Sequence, residues 1–344
     1  MSSLPYLNIS GYVIKFGGVI TLLTNSVLIY LTVNKISTIK ATYKGLIVLM
    51  AVLGIIFSLL EIVLHPFTHS YNESFIYFSG SEATGISLSI KLAILCSFST
   101  CYMIIICCLA IQFIYRYAVL LSPARLIWFR GWRLCSLLLY GLICTITWII
   151  GLSMILPDNY SRNYWSNDME INYGLDITHL AQYHLVAYDE HGALRLRNLF
   201  GITICTAILV LQYVFILYFG VKTHYGIKAI STGSARTHRM HSQLFKTLVL
   251  QITIPSIFYN SPVFLMYLIP YLDIKINFPS GIMLCFFSLY PAVDSLILMW
   301  MVGEYRKIFK KMFVDMLKEA LFWSDSRPHE ETATGRGIEM QERL

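Results

Sequence analysis

A few ionisable side chains stand inside otherwise apolar sequence, and any chemistry of this chain must run through them. Arg116 sits between Tyr115 and Tyr117 at the end of one apolar run, and Asp294 follows Pro291 by three residues in another. A carboxylate at that depth in hydrocarbon costs roughly 2.5–3.5 kcal/mol unless partnered, so Asp294 is expected to face protein, with Asn25 as a candidate partner. Two readings of this site stand. Pro291 removes a backbone donor and bends its helix, which beside a buried acid makes a two-state element. The other reading is a static polar clamp. Arg116 is likewise either a group released to meet a partner or a basic anchor that snorkels to phosphate. Lys15, Glu61 and Lys91 lie near the opposite ends of their runs. A lysine across a helix bundle would lower the cost of burying Glu61, whereas Lys15 is read as snorkelling.

These groups hold and move charge; they do not suggest bond chemistry. The chain has no Walker loop, no HExxH and no Gly-x-Ser-x-Gly string. His65, His69, His179, His184 and His191 fall between apolar runs. His179 and His184 with Asp176 have metal-ligand types, but in a loosely His-rich loop. No enzyme activity, metal or cofactor is expected.

The elements that position these residues follow from composition. Charged residues make up 13% of the 344, about half the roughly 25% usual for a soluble chain. Apolar residues make up 56%, and mean hydropathy is +0.63. So few charges cannot cover that apolar surface in water, and the solvent for most of the chain is lipid. Lipid pairs no backbone groups, which leaves helices of about 20 apolar residues. Seven are predicted, over 11–33, 45–64, 92–114, 134–156, 199–219, 244–268 and 281–302. The first has no basic stretch before it and is long enough to span, so no cleaved signal peptide is expected.

Alternate connections differ in charge. One set holds Lys35, Lys40 and Lys44, then Arg116, Arg125, Arg130 and Arg133, then Lys222, Lys228, Arg236 and Arg239, without an acid; Lys246 opens the sixth run. The connection between the fourth and fifth runs instead holds Asp158, Asp168, Glu170, Asp176, Asp189 and Glu190 against Arg162, Arg195 and Arg197. Basic loops stay in the cytoplasm, which puts the N-terminus outside and makes the net charge of +7 a mark of topology, with no nucleic acid implied. The sequons at Asn8, Asn72 and Asn159 all fall on the side assigned outside, as glycosylation requires.

After the last run, Tyr305, Ile308, Phe309, Met312, Phe313, Met316 and Ala320 recur at helical spacing, with Arg306, Lys307, Lys310, Lys311 and Lys318 on the other face. An amphipathic helix over 304–321 at the inner leaflet is predicted, contacting membrane lipids. The expected layout is an extracellular N-terminus (1–10), a seven-span domain (11–302), the interfacial helix (303–322) and a disordered cytoplasmic tail (323–344). The fold class is an all-α membrane protein, a seven-transmembrane helix bundle of the G-protein-coupled receptor plan.

Particular strings narrow this. They are TNSVLIYLT (24–32), YKGL (43–46), LEIVLHPFTHSY (60–71), SFIYF (74–78), FIYRY (113–117), QLFKTLVLQITIPSIF (243–258), LYPAVDSLI (289–297) and EYR (304–306). Their order resembles the nematode seven-transmembrane chemoreceptors of the Str family, of the diacetyl odorant receptor type, from about residue 25 to 309. The resemblance implies a plasma-membrane receptor of sensory cilia in chemosensory neurons that binds a small-molecule odorant and activates a heterotrimeric G-protein α subunit, with arrestin as a further partner at the tail.

There are departures. Ser295 follows Asp294 where the family often has proline, and Tyr115 replaces the acid that precedes the third-span Arg in rhodopsin-like receptors. All eight cysteines (Cys96, Cys101, Cys107, Cys108, Cys135, Cys144, Cys205 and Cys285) lie in apolar runs, and 157–198 has none. The long outer loop must therefore be held by contacts other than a disulfide.

On this plan Arg116, Asp294, Pro291, Asn25 and Pro255 are the activation switch. Pro255 and Pro262 interrupt the sixth run, either as a hinge or as prolines of the kind common in spans. Arg116, Lys222, Lys228, Arg236, Arg239 and Lys246 would meet the G protein. The ligand would lie among the outer halves of spans three, five, six and seven, at Ser97, Ser99, Thr100, Thr203, Thr206, Tyr259, Asn260, Phe286 and Tyr290. Aromatic walls with a few hydroxyls suit a small, neutral, weakly polar molecule. The competing class is a small-solute transporter or ligand-gated channel, which the odd span count and the absence of repeated halves oppose.

Overall fold

The computed structural model describes residues 3–37, 39–81, 85–121, 126–127, 129, 131–229 and 235–325. Seven of its helical stretches are long and apolar enough to cross a membrane. Span one is α1 (Leu4–Tyr30), continued by a π-turn at Leu31–Lys35, and span two is α2 (Ala41–Leu64). Strands β1 (Pro66–Asn72) and β2 (Ser74–Ser79) then lead to span three, α3 (Leu88–Leu121), and span four, α4 (Leu134–Met154). Helix α5 (Asn159–Tyr173) and strand β3 (Gln182–Val186) precede span five, α6 (Leu196–Ala229). Span six is α7 (Ala235–Pro255), a π-turn at Ser256–Asn260, and α8 (Ser261–Leu268). After β4 (Ile276–Phe278), span seven is α9 (Ile282–Ser288) and α10 (Tyr290–Met301), and α11 (Gly303–Asp325) follows.

The helices outrun the apolar stretches that predict them. α1 is helical from Leu4, with Pro5 in its first turn and Leu7 and Ser10 buried, so most of 1–10 belongs to the bundle. Span seven breaks at Leu289 because Pro291, in the first turn of α10, has no N–H to donate back into α9. In span six Pro255 leaves the Gln251 carbonyl one turn earlier without its helical donor, and the Tyr290 hydroxyl approaches that carbonyl at 3.5 Å. Helix α2 packs closely against the span-seven bend at Gly54, which has no side chain. A Cβ there would lie 3.1 Å from that of Pro291.

α11 bears out the amphipathic pattern. Tyr305 is buried with its hydroxyl 2.9 Å from Thr32 Oγ1, and Ile308, Phe309 and Met312 pack on the bundle while Lys307, Lys310 and Lys311 are exposed. The side chains of Phe313, Met316 and Ala320, and all of 326–344, lie outside the described residues, as do Arg125 and Arg130.

At the opposite end the three connections in which basic residues do not predominate fold together. They form a four-stranded sheet in the order β3-β2-β1-β4, with antiparallel pairs throughout. Side chains alternate across a strand, so the sheet has two distinct faces. Phe67, Ile76, Phe78 and Val186 face α5 and form a cluster with its Trp165, Met169 and Tyr173 and with Leu7 of α1. Phe75, Tyr183 and Leu185 face the bundle core. β1 and β2 turn at Asn72, whose φ of 49° is a conformation asparagine tolerates.

No disulfide holds this cap; all eight cysteines are free. Asp158 starts α5 with a capping box to Ser161 and is ion-paired with Arg195, and Gly174, at φ 67°, ends the helix. His69, wholly buried, lies 2.9 Å from the Tyr173 hydroxyl and 3.2 Å from Asp168.

The cap also carries a pH dependence. His184 on β3 is 1% exposed, and neither ring nitrogen has a hydrogen-bond partner among the described residues. Burial first, and then the charge of Arg162, lower its pKa to about 3; Asp158 acts the other way, and Arg195 adds a smaller lowering. The unfolded segment binds a proton below its ordinary pKa of 6.5 that the folded cap refuses until about 3. Stability therefore rises with pH across that window and is lost as pH falls through it. Amide protection of Gln182–Val186 should weaken from about pH 7 to about pH 5, and His184→Leu should remove the difference. Equal pH dependence in that variant would reassign the effect.

Candidate functional site

Beneath the sheet lies a cavity of about 330 Å³. Its roof is Thr68, Phe75, Tyr77, Tyr183 and Leu185 from the strands, and its walls come from spans three to seven. Trp148 of α4 donates its indole N–H to Ser99 Oγ at 3.0 Å, fixing two wall groups to each other. The floor is a run of hydrogen bonds on the π-turn of span six. Tyr102 donates to Asn260 Oδ1, and Asn260 Nδ2 donates to the Tyr213 hydroxyl. Tyr213 lies 2.9 Å from Ser256 Oγ, whose own proton goes to the Ile252 carbonyl at 2.6 Å. A hydroxyl has one proton, so Tyr213 must be the donor to Ser256. The direction of the whole run is thereby set, and one amide N–H of Asn260 is left over.

Of the nine residues proposed for ligand contact, Ser99, Thr206 and Asn260 line this cavity. Ser97 and Thr203 are exposed on the outside of their helices, and Phe286 points outward against Phe258. Thr100 turns toward Cys96, and Tyr290 points to the Gln251 carbonyl. The side chain of Tyr259 lies outside the described residues. The apolar runs indicate depth, but each helical residue turns about 100°, so neighbours in sequence face different ways. Tyr102 and Tyr213 were missed although each continues a cavity-facing row, three residues after Ser99 and seven after Thr206. The roof aromatics had no such signal, since only strand pairing brings them here.

The polar core of span seven also departs from expectation. Asn25 does not meet Asp294. Its Oδ1 accepts from Ser295 Oγ at 2.6 Å, and its Nδ2 donates to the carbonyls of Thr21 at 2.9 Å and Pro291 at 3.3 Å. One residue along the helix, Asp294 faces α7 and is hydrogen-bonded by the Gln251 side chain. The 100° step puts Ser295 toward span one and Asp294 toward span six. Asp294→Asn keeps an acceptor for Gln251, whereas Asp294→Leu strands a buried amide at a cost of about 1–3 kcal/mol. Surface expression should fall further in the leucine variant; the opposite order would contradict this pairing. Glu61 likewise pairs with no lysine among the described residues. It is buried against the Ser288 hydroxyl of α9, while Lys91 reaches the Ser81 carbonyl at 3.4 Å and Lys15 is exposed.

At the basic end Arg116 does not snorkel. It is 3% exposed, and its guanidinium carbon lies 3.6 Å from the centre of the Tyr43 ring, which itself stacks on Tyr115. Nε and one terminal nitrogen have no hydrogen-bond partner, and among the described residues no carboxylate pairs with it. His241 of α7 is an electrostatic neighbour. Lys222, Arg239, Lys228 and Lys246 are exposed, the last two at the rim of a second cavity of about 560 Å³; the side chain of Arg236 lies outside the described residues.

Comparison with known proteins fits this arrangement. The chain is similar to squid rhodopsin in fold, with a TM-score of 0.54 over 91% of this chain and 87% of that one at 14% identity. It is 35% identical to the G-protein coupled receptor str-33 of Caenorhabditis elegans over 89% of this chain and 91% of the relative. It is 28% identical to the serpentine receptor class r-10 of Caenorhabditis briggsae over 85% of this chain and 87% of the relative. The family model described as serpentine type 7TM GPCR chemoreceptor Str matches residues 10–310. With the seven spans, the roofed cavity and the buried Arg116 in place, the chain belongs to the Str family of serpentine seven-transmembrane chemoreceptors.

Proposed function

We propose that this receptor binds a small, neutral, weakly polar chemical cue in the sheet-roofed cavity and activates a heterotrimeric G-protein α subunit at its basic end. The observation that carries this is the cavity itself, lined by aromatic residues of the sheet and of spans three to six, with a short hydrogen-bonded floor. Such a lining offers shape and one or two hydrogen bonds, and no ionic group among its residues would hold a strongly charged ligand.

The floor sits on the π-turn of span six, an element often found at functional sites. A guest that takes hydrogen bonds from Asn260 or Tyr213 alters the turn, and α7 carries the change. That helix holds Gln251 against Asp294, then Lys246, then His241 beside Arg116. Movement of α7 uncovers the unpaired donors of Arg116 for acceptor groups of the α subunit, with Lys222, Lys228, Arg236, Arg239 and Lys246 meeting its acids.

In this reading the sheet lies outside the cell and the basic loops inside, at the plasma membrane of sensory cilia. Residues 11–302 are the receptor domain, α11 lies along inner-leaflet lipids, and the tail after it is where arrestin docks. Asn159 is exposed in the first turn of α5 and Asn8 on α1, while Asn72 is half-buried at its turn, so Asn159 and Asn8 are the more accessible glycan acceptors. Loss of glycan mass in Asn159→Gln supports this orientation; a glycan acquired on a sequon engineered beside Lys222 would reverse it.

The direct test is expression in cells with a calcium or cAMP readout, against volatile and water-soluble compounds. A ligand whose potency drops on Asn260→Ala supports the site. A receptor at the surface that answers only compounds indifferent to Asn260, Tyr102 and Tyr213 would move the site elsewhere.

A further inference from the structure

The roof over the cavity is two layers thick. Phe75, Tyr183 and Leu185 close it from below, and behind the same strands lie the buried Trp165, Met169 and Tyr173 of α5. The strands are also tied down on several sides. Gly281 donates to the Thr68 carbonyl at 2.7 Å, the His184 N–H to that of Ile155 at 2.9 Å, and the Gly80 N–H to that of His65 at 2.8 Å. These bonds fasten the sheet to spans seven, four and two. A molecule arriving from water would have to part the sheet from three helices and lift α5.

The side wall is different. Val210 of α6 and Phe264 of α8 both line the cavity, yet they are 53% and 50% exposed. A residue that faces a cavity and the outside at once marks the mouth of that cavity. Ser261, beside them, also lines the cavity and is exposed, and α8 has no buried residue. What lies outside this mouth is the acyl-chain region, since both helices belong to membrane spans.

We propose that the ligand enters from the bilayer, through a gap between spans five and six whose lips are Val210 and Phe264, and that the receptor thereby selects molecules that partition into lipid. This rests on the reading of the cavity as the ligand site. Entry by this path concentrates an apolar cue in the membrane before it binds, and it leaves charged or strongly hydrated molecules without a route, because each would lose its water in hydrocarbon. It also places the entering molecule beside the span-six π-turn.

The test needs no agonist and no G protein. Full-length receptor in phosphatidylcholine nanodiscs is mixed with 3-azioctanol, a neutral alcohol carrying a photoreactive diazirine, and flashed at increasing delays. Mass spectrometry then follows labelling of the peptides that hold Thr206, Tyr213 and Asn260. The Val210→Trp/Phe264→Trp variant is expected to approach its own plateau at least about ten-fold more slowly, because bulky rings at the lips obstruct passage. Met169→Ala, which loosens the outer layer of the roof without touching the cavity lining, is expected to leave the rate unchanged. Labelling of the lip variant at the wild-type rate, or faster labelling of Met169→Ala alone, would overturn the lateral route. If the paired tryptophans prevent folding, Val210→Phe is used, with a smaller slowing expected. A receptor that labels as expected yet never signals loses the proposed function and keeps the route.

Discussion

Arg116→Ala is expected to abolish ligand-driven G-protein activation, by about a hundred-fold or more, while the receptor still reaches the cell surface. The separation of the two effects follows from how the side chain is held. Its stabilising contact is the face of Tyr43, worth about 0.5–2 kcal/mol, and against this stand two buried donors without partners. Removing the group loses the first and relieves the second, so the net change in stability is small. Activation loses the donors that the open state would present. Arg116→Lys is expected to fail as well, since an ammonium has neither the planar stacking nor the forked geometry. Tyr43→Phe keeps the ring and removes a hydroxyl that has no hydrogen-bond partner among the described residues, and should be silent. Surface-normalised G-protein activation in the three variants checks this; normal signalling from Arg116→Ala would remove the residue from the switch.

The second large effect is expected in the cap. Trp165 is fully buried between α5 and the sheet, in contact with the His69, Tyr71 and His184 rings. Trp165→Ala should cost about 3–5 kcal/mol of cap stability, from lost burial and the cavity left behind. Strands β1–β3 should lose amide protection, and ligand potency should fall with them because their other face roofs the cavity. Trp165→Phe, which keeps most of the apolar volume, should fall between. Unchanged protection of 66–79 and 182–186 in the alanine variant would mean that α5 is not what seals the sheet. Hydrogen exchange on purified receptor gives the answer directly.

Parts of this cap were legible in advance. Phe67, His69 and Tyr71 alternate toward a turn at Asn72, and Asp158 and Gly174 are ordinary start and stop signals around a helix that buries Ser161, Trp165, Met169 and Tyr173 at helical spacing. What hid them was the absence of cysteine between 157 and 198, which reads as a loop without a fastening. The fastening is an ion pair, a capping box and strand pairing between segments more than a hundred residues apart.

The sequence alone determined the properties that depend on runs of neighbours. Apolar length set the seven spans, loop charge sorted their connections into two kinds, and the paired faces of 304–321 produced α11. Tertiary structure decided which way each side chain faces and whom it meets. Asn25 bonds Ser295 and not Asp294, Glu61 meets a serine and not a lysine, Arg116 lies under a ring, and among the described residues of the proposed ligand set Ser99, Thr206 and Asn260 alone line the cavity. The reason is physical. Transfer into lipid sums over a whole segment and tolerates rotation, whereas a hydrogen bond fails within an ångström, and helix rotation is settled by all the neighbours packing at once.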